Sequence, residues 1–296
     1  MEMKADVVRE APELPPPPKT ALVPFDFSEC SWAGLEAARI LARRRGLRLE
    51  LVHVDEGPPA WLSQNEGSTA EVEAVGGYYA GLEGKLKAAA AATPGAGCRV
   101  LDGNPAEVLR RLAGGGAADL IVIGSHGYAG VKRFVLGSVA EALVHAAQIP
   151  VLTVHRAPEA VWPARILVPM KFTEYADRAL LHAVEWADAL GAKLSVVHVL
   201  EGEGAEREEN SALDGHLEAM LGPERFRAMG RIVMAGDPPE AILKTAENGR
   251  FDLIVLASHL RPFWKDAVLG TTAERVIRHS KIPVLAIPSR SKSILE

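Results

Sequence analysis

The chain has 296 residues, 48% of them apolar and 24% charged, with a net charge of −5. That length admits two domains of ordinary size, each with its own core, and the composition excludes a chain too polar to fold. The acidic balance excludes the basic excess of a nucleic-acid surface, and no apolar run approaches the length of a membrane span.

Residues 1–18 end in Pro15-Pro16-Pro17-Pro18 and read as a disordered or polyproline-like tail without a hydrophobic signal core. A cytoplasmic protein is expected. Leu22 to Phe25 is a short apolar run of strand type, and Ser28 can cap the helix that follows. In that helix Leu35, Ala38, Leu41 and Ala42 share one face. Arg43, Arg44 and Arg45 occupy its last turn, where cations suit the dipole, and Gly46 stops it. Leu49 to Val54 is the next strand, Ala88 to Ala92 belong to a helix, and Arg99 to Leu101 form a short strand. Asn104-Pro105 reads as N-cap and first helical residue. Leu120 to Ile123 is continuously apolar and predicts a strand buried on both faces. Ser138 to Ala147 predicts the next helix, and Val151 to Val154 the last strand.

The pattern then repeats. Leu51-Val52-His53-Val54 returns as Val196-Val197-His198-Val199, 145 residues on. Asp119-Leu120-Ile121-Val122 returns as Asp252-Leu253-Ile254-Val255, 133 residues on. The first copy therefore carries about 12 more residues between its second and third strands. Two domains are expected, over 19–156 and 165–290, with a short stiff linker over 157–164 bracketed by Pro158 and Pro163. Segment 55–93 admits three roles: helix core, a lid, or a partner surface, with Trp61, Tyr78 and Tyr79 as its aromatics. Cys30 and Cys98 form no CxxC pair and read as small, partly buried hydrophobes.

The chemistry sits after the fourth strand. Gly124-Ser125-His126-Gly127 is followed, nine residues later, by Gly137-Ser138 at a helix start. Glycines allow close backbone approach, and the free N–H groups of a helix N-terminus make an anion site. Spacing alone leaves a second reading open. Ser138-Val139-Ala140-Glu141 fits a capping box, and the glycines could serve only a tight turn. The run is neither a Walker A loop nor GxGxxG.

Gly124-x-x-Gly127, nine residues, then Gly137-Ser138 resembles the ATP-binding motif of the universal stress protein (UspA) family. Pro24-Phe25-Asp26-Phe27-Ser28, His53-Val54, Gly103-Asn104-Pro105, Asp119-Leu120-Ile121-Val122 and Pro150-Val151-Leu152 are similar to further landmarks of that family, in order. The resemblance recurs, more weakly, from about 165 to 288. It implies an α/β fold: two tandem five-stranded parallel sheets of order 3-2-1-4-5 with helices on both faces. It implies that Asp26 and the Val54 backbone hold the adenosine end of ATP, ADP or AMP, and that Gly124, Gly127, Gly137 and Ser138 hold the phosphates. Pro24, Ile123, His126 and Val139 complete the implied binding set. Mg²⁺ or Mn²⁺ would be held mainly by the phosphates. It also implies pairing of the two last strands within one chain, leaving a monomer or a homodimer of such units.

The second copy departs at Lys171, Ala257 and Leu260, which stand where the first has Asp26, Gly124 and Gly127, while Thr271 to Glu274 keeps the capping box. One nucleotide per chain is expected. Lys171, Arg261 and Lys265 leave open a different anionic ligand or a plain exposed face. No HExxH or GxSxG is present, and His53 and His198 read as satisfied core histidines. A regulatory nucleotide binder with at most weak ATPase activity is expected, the alternatives being a true ATP hydrolase or phosphotransferase and a pseudo-dimeric scaffold.

Overall fold

The computed structural model describes residues 13–59, 69–126, 136–200, 206–258, 260–263, 266–269 and 271–289. The first half runs β1 (Thr20–Pro24), α1 (Glu29–Arg45), β2 (Arg48–Asp55), α2 (Thr69–Ala91), β3 (Gly97–Asp102), α3 (Pro105–Gly114), β4 (Leu120–Gly124), α4 (Ser138–Ala146) and β5 (Val151–Val154). The second runs β6 (Arg165–Met170), α5 (Glu174–Leu190), β7 (Lys193–Leu200), α6 (Glu206–Ala228), β8 (Gly230–Ala235), α7 (Pro238–Asn248) and β9 (Leu253–Ser258). A hairpin, β10 (Leu260–Phe263) with β11 (Asp266–Leu269), precedes α8 (Thr271–His279) and β12 (Val284–Pro288).

Each half is a parallel sheet of local order 3-2-1-4-5, and the two join into one ten-stranded mixed sheet, β3-β2-β1-β4-β5-β12-β9-β6-β7-β8. The joint is β5 against β12, antiparallel, with Leu152 opposite Leu285. This pairing covers two apolar sheet edges that would otherwise present unpaired N–H and C=O groups. Alternation along the strands builds a core on each face. Ala21 and Val23 point to the side of α1, α2, α5 and α6, whereas Leu22, Ile121 and Ile123 point to the side of α3, α4, α7 and α8. Both cores run through both halves.

Local chemistry sets the element ends. Ser28 Oγ accepts from the Ser31 N–H at 3.1 Å, and Gly46 ends α1 in the left-handed conformation. Asn104 Oδ1 caps α3 through the Glu107 N–H, at 3.2 Å. The aspartate of each repeated Asp-Leu-Ile-Val run ties down the strand beside it. Asp119 Oδ2 accepts from the Lys19 and Thr20 N–H groups, and Asp252 accepts from those of Ala164 and Arg165.

The first-half helix predicted around Ala88 to Ala92 is much longer, beginning at Thr69. Leu14, inside the stretch read as a tail, packs against the core on the α1 face; residues 1–12 lie outside the described residues. The arginines at the end of α1 do more than complement a dipole. Arg44 donates to the carbonyls of Trp162 and Leu190, and Arg45 pairs with Glu185 of α5 and lies over the Trp186 ring, 5.2 Å from its centroid. Both partners of the Arg45–Glu185 pair are nearly buried. Burial lowers the Arg45 pKa and raises that of Glu185, against their mutual attraction. The segment between the halves is anchored by Trp162, which is buried and donates from Nε1 to the Asp252 carbonyl at 2.7 Å.

Candidate functional site

A cleft of about 610 Å³ opens at the carboxyl ends of β1 and β4. In a 3-2-1-4-5 sheet these neighbours lead into crossovers on opposite faces, and the crevice between them is where such sheets take ligands. Pro24, Phe25 and Asp26 form one wall, and Val54, Asp55 and Glu56 at the end of β2 extend it. Ile123, Gly124 and His126 form the opposite wall. The floor of its far end is Gly137, Ser138 and Val139 at the start of α4. Pro105 and Leu109 of α3 close the apolar side.

The first wall is held rigidly. The Asp26 carboxylate accepts from the Ser28 N–H at 3.0 Å and from the Ser28 hydroxyl at 2.5 Å. Phe27, the next residue, has φ +66°, a left-handed conformation a bulky side chain rarely adopts. Its ring lies 4.9 Å from that of His53, whose Nδ1 is 2.8 Å from the Phe25 carbonyl. His198 makes the same bond to the Met170 carbonyl at 3.0 Å, so both strand histidines are hydrogen-bonded as expected. His53 differs in also lining the cleft.

At the other end, α4 starts without a side-chain cap. Gly137 is the N-cap, and Ser138 is already the first helical residue. The capping-box reading of Ser138 is therefore corrected: its side chain is not spent on the helix end. The first-turn N–H groups have no intrahelical acceptors, and residues 137–140 all line the cleft. Gly137 itself donates to the Ser125 carbonyl at 2.7 Å, which pins the helix start to the end of β4. Ser125 Oγ and His126 Nδ1 are 2.8 Å apart. The His126 ring is 5.9 Å from that of His155, and burial together with His126 pushes the His155 pKa down to about 4.

Gly124 has a structural reason beyond ligand approach. It is neither in a turn nor at positive φ. A Cβ there would lie 2.8 Å from the Ser31 nitrogen and closer still to the Cys30 carbonyl group, in the first turn of α1. A Cβ on Gly34 of α1 would in turn lie 3.0 Å from the Gly124 nitrogen. Helix and strand meet here backbone to backbone.

Of the sequence-predicted residues, Pro24, Asp26, Val54, Ile123, Gly124, His126, Gly137, Ser138 and Val139 line this one cleft. Gly127 lies outside the described residues. Sequence reasoning missed Asp55, although it directly follows the His53-Val54 landmark. It also missed that Tyr78 of α2 reaches this end of the cleft, donating its hydroxyl to Asp55 Oδ1 at 3.0 Å.

The corresponding end of the second half is built differently. His198 Nε2 is 2.9 Å from Glu209 Oε2 of α6, and His216 Nε2 is 2.7 Å from Asp177 Oδ1. The Phe172 ring stands 5.3 Å from His198 and 5.7 Å from His216. In the second half the hairpin β10–β11 follows β9.

Residues 18–155 and 164–288 each match the model of the universal stress protein family. A universal stress protein of Mycolicibacterium smegmatis is 27% identical over 187 residues, 59% of this chain and 63% of that protein, so the match spans less than two thirds of the relative's length. One from Thermus aquaticus is 34% identical over 139 residues, 46% of this chain and 98% of its own. The crystal structure of a universal stress protein from Archaeoglobus fulgidus superposes with a TM-score of 0.70 at 23% identity. It covers 91% of this chain and 98% of its own, a likeness of fold.

Proposed function

The chain belongs to the universal stress protein family, a nucleotide-binding family, and we propose that its first half binds one adenine nucleotide while its second half binds none in that pose. The observation that carries this reading is the cleft itself. Nine residues expected at such a site converge on one cavity with an uncapped helix N-terminus at one end and carboxylates at the other. Phosphates belong at the helix end, where N–H dipoles favour anions, and the base belongs at the β2 end, where Asp55 and Glu56 repel them. The phosphate end offers N–H and hydroxyl groups, and Asp26 is already committed to Ser28. A divalent cation fits there as a companion of the phosphates, held by their oxygens and by water.

The second half supports the contrast. Lys171 replaces the Asp26 carboxylate with a donor-only cation, and Glu209 of α6 occupies Nε2 of His198. The protein then acts as a nucleotide-dependent regulatory module in the stress response, its halves paired within one chain through β5 and β12. Turnover of ATP is expected to stay below about 1 per second, under the ordinary enzyme range. Titration calorimetry of nucleotide-stripped protein with ATP and Mg²⁺ tests the reading. One site per chain is expected; two equivalent sites, or none, would overturn it.

A further inference from the structure

The second half reaches the helix end of the first half's cleft. Glu141 stands in the first turn of α4, directly after the cleft-lining residues 137–140, and its N–H donates to the Gly137 carbonyl at 2.8 Å. It follows the N-cap by about one turn, ~5.4 Å of rise. A negative charge there suits the helix dipole, but it repels a phosphate bound at the same helix end. The residue that answers this charge comes from the other half. Arg278, in the last turn of α8, donates from one nitrogen to Glu141 Oε1 and to Glu274 Oε1, at 3.0 Å each.

The repeat shows where this arginine belongs. Glu141 and Glu274 are equivalent positions 133 residues apart, and the equivalent of Arg278 is His145. Helix α8 thus carries its own i, i+4 arginine, whereas α4 has a histidine in that place and takes the arginine of α8. The residue before Arg278 is engaged as well. The His155 ring, just after β5, donates to the Ile277 carbonyl and lies 5.9 Å from the ring of His126, which lines the cleft. Two consecutive residues in the last turn of α8 therefore brace the phosphate end, one through α4 and one through His155 and His126.

We propose that Arg278 is a positioning residue of the first-half nucleotide site: it offsets the Glu141 charge behind the phosphates, so that the second half sets the phosphate affinity of the first. This rests on the nucleotide reading above and gives the second half a part in that site without a ligand of its own. Arg278 touches no nucleotide and acts through Glu141.

The test is calorimetry with ATP, AMP and adenosine on the full chain, on Arg278→Met, on Glu141→Gln and on the double variant, with nucleotide-free thermal melts as a fold control. Arg278→Met uncovers the Glu141 charge. It should weaken ATP by about three- to tenfold, AMP by less and adenosine not at all, with a smaller loss at high salt. Adding Glu141→Gln to it should restore most of the ATP affinity. A merely structural arginine would instead weaken all three ligands alike and leave the double variant as weak as the single. That pattern overturns the proposal, as does unchanged ATP affinity in Arg278→Met. Glu141→Gln alone keeps the proposal testable if Arg278→Met folds poorly. It leaves the Arg278 charge beside the phosphates and should bind ATP as tightly as the parent or more so; weaker binding overturns the proposal. Failure of the unsubstituted protein to bind ATP or AMP would instead bring down the nucleotide reading itself.

Discussion

Replacing Gly124 by Ala separates the packing role of this glycine from its role beside a ligand. The new Cβ would lie 2.8 Å from the Ser31 nitrogen and nearer to the Cys30 carbonyl, where ordinary contact begins at 3.4 Å. Those neighbours are helix backbone, so no side chain can swing away, and the first turn of α1 must retreat by more than half an ångström. Overpacking of this kind costs about 1–3 kcal/mol, less the ~0.4–1 kcal/mol that Gly→Ala returns through the unfolded chain. A net loss of about 1–2 kcal/mol corresponds to a fall in melting temperature of about 2–8 °C for a domain of this size. Gly34→Ala meets the same gap from the other side, with its Cβ 3.0 Å from the Gly124 nitrogen. Once α1 has moved to admit one methyl, the second fits more easily, so the double variant should lose less than the sum of the singles. Urea unfolding of the two singles and the double, followed by tryptophan fluorescence, closes the cycle. A Gly124→Ala variant as stable as its parent, or strictly additive losses, would refute the backbone-contact account.

Arg45→Met should destabilise the chain by about 3–5 kcal/mol by stranding Glu185 among α1 and α5, whereas Arg45→Met with Glu185→Leu should recover most of the loss; urea midpoints decide it. Burial holds both His155 and His182 down to about 4, below the ordinary histidine value. Between that value and about 6.5 the unfolded chain binds protons that the folded one refuses. Stability should therefore be full above pH 6.5 and fall as pH drops toward 4, by up to about 3 kcal/mol per histidine. His155→Gln and His182→Gln should each flatten that slope in melts across the window, and an unchanged slope would count against the burial argument. Gly127→Leu, copying Leu260 of the second half, should abolish ATP binding in calorimetry and leave the nucleotide-free melting temperature in place; unchanged affinity would remove Gly127 from the phosphate site.

Much of the fold was legible because its signals are local. The apolar runs, Ser28 and Asn104 as caps, and Gly46 as a left-handed stop each act within a few residues of themselves. What escaped reading depends on partners far along the chain. Arg44 and Arg45 satisfy a dipole rule on their own helix, and nothing nearby announces Trp162, Glu185 or Leu190. Tyr78 and Asp55 are 23 residues apart across an insertion whose period is ambiguous, so their bond appears only once α2 is laid beside β2. Spacing alone left two readings of Ser138 open, because a capping-box pattern fits equally well when the N-cap is the glycine before it.

The glycines are the most instructive case. In the second copy Ala257 stands for Gly124, which looks like loss of a phosphate contact. The structure adds that Gly34 opposes Gly124, and the residue matching Gly34 in α5 is Ala179, fully buried. Both positions carry a methyl in the second copy, which is accommodated when the helix stands farther from the strand, since room made for one methyl admits the second. Ala257 alone is therefore weak grounds for a lost site. The case for an altered second half rests better on Lys171, where a carboxylate is exchanged for a cation, and on Glu209 of α6 holding the ring nitrogen of His198. Neither change follows from how α5 packs on β9.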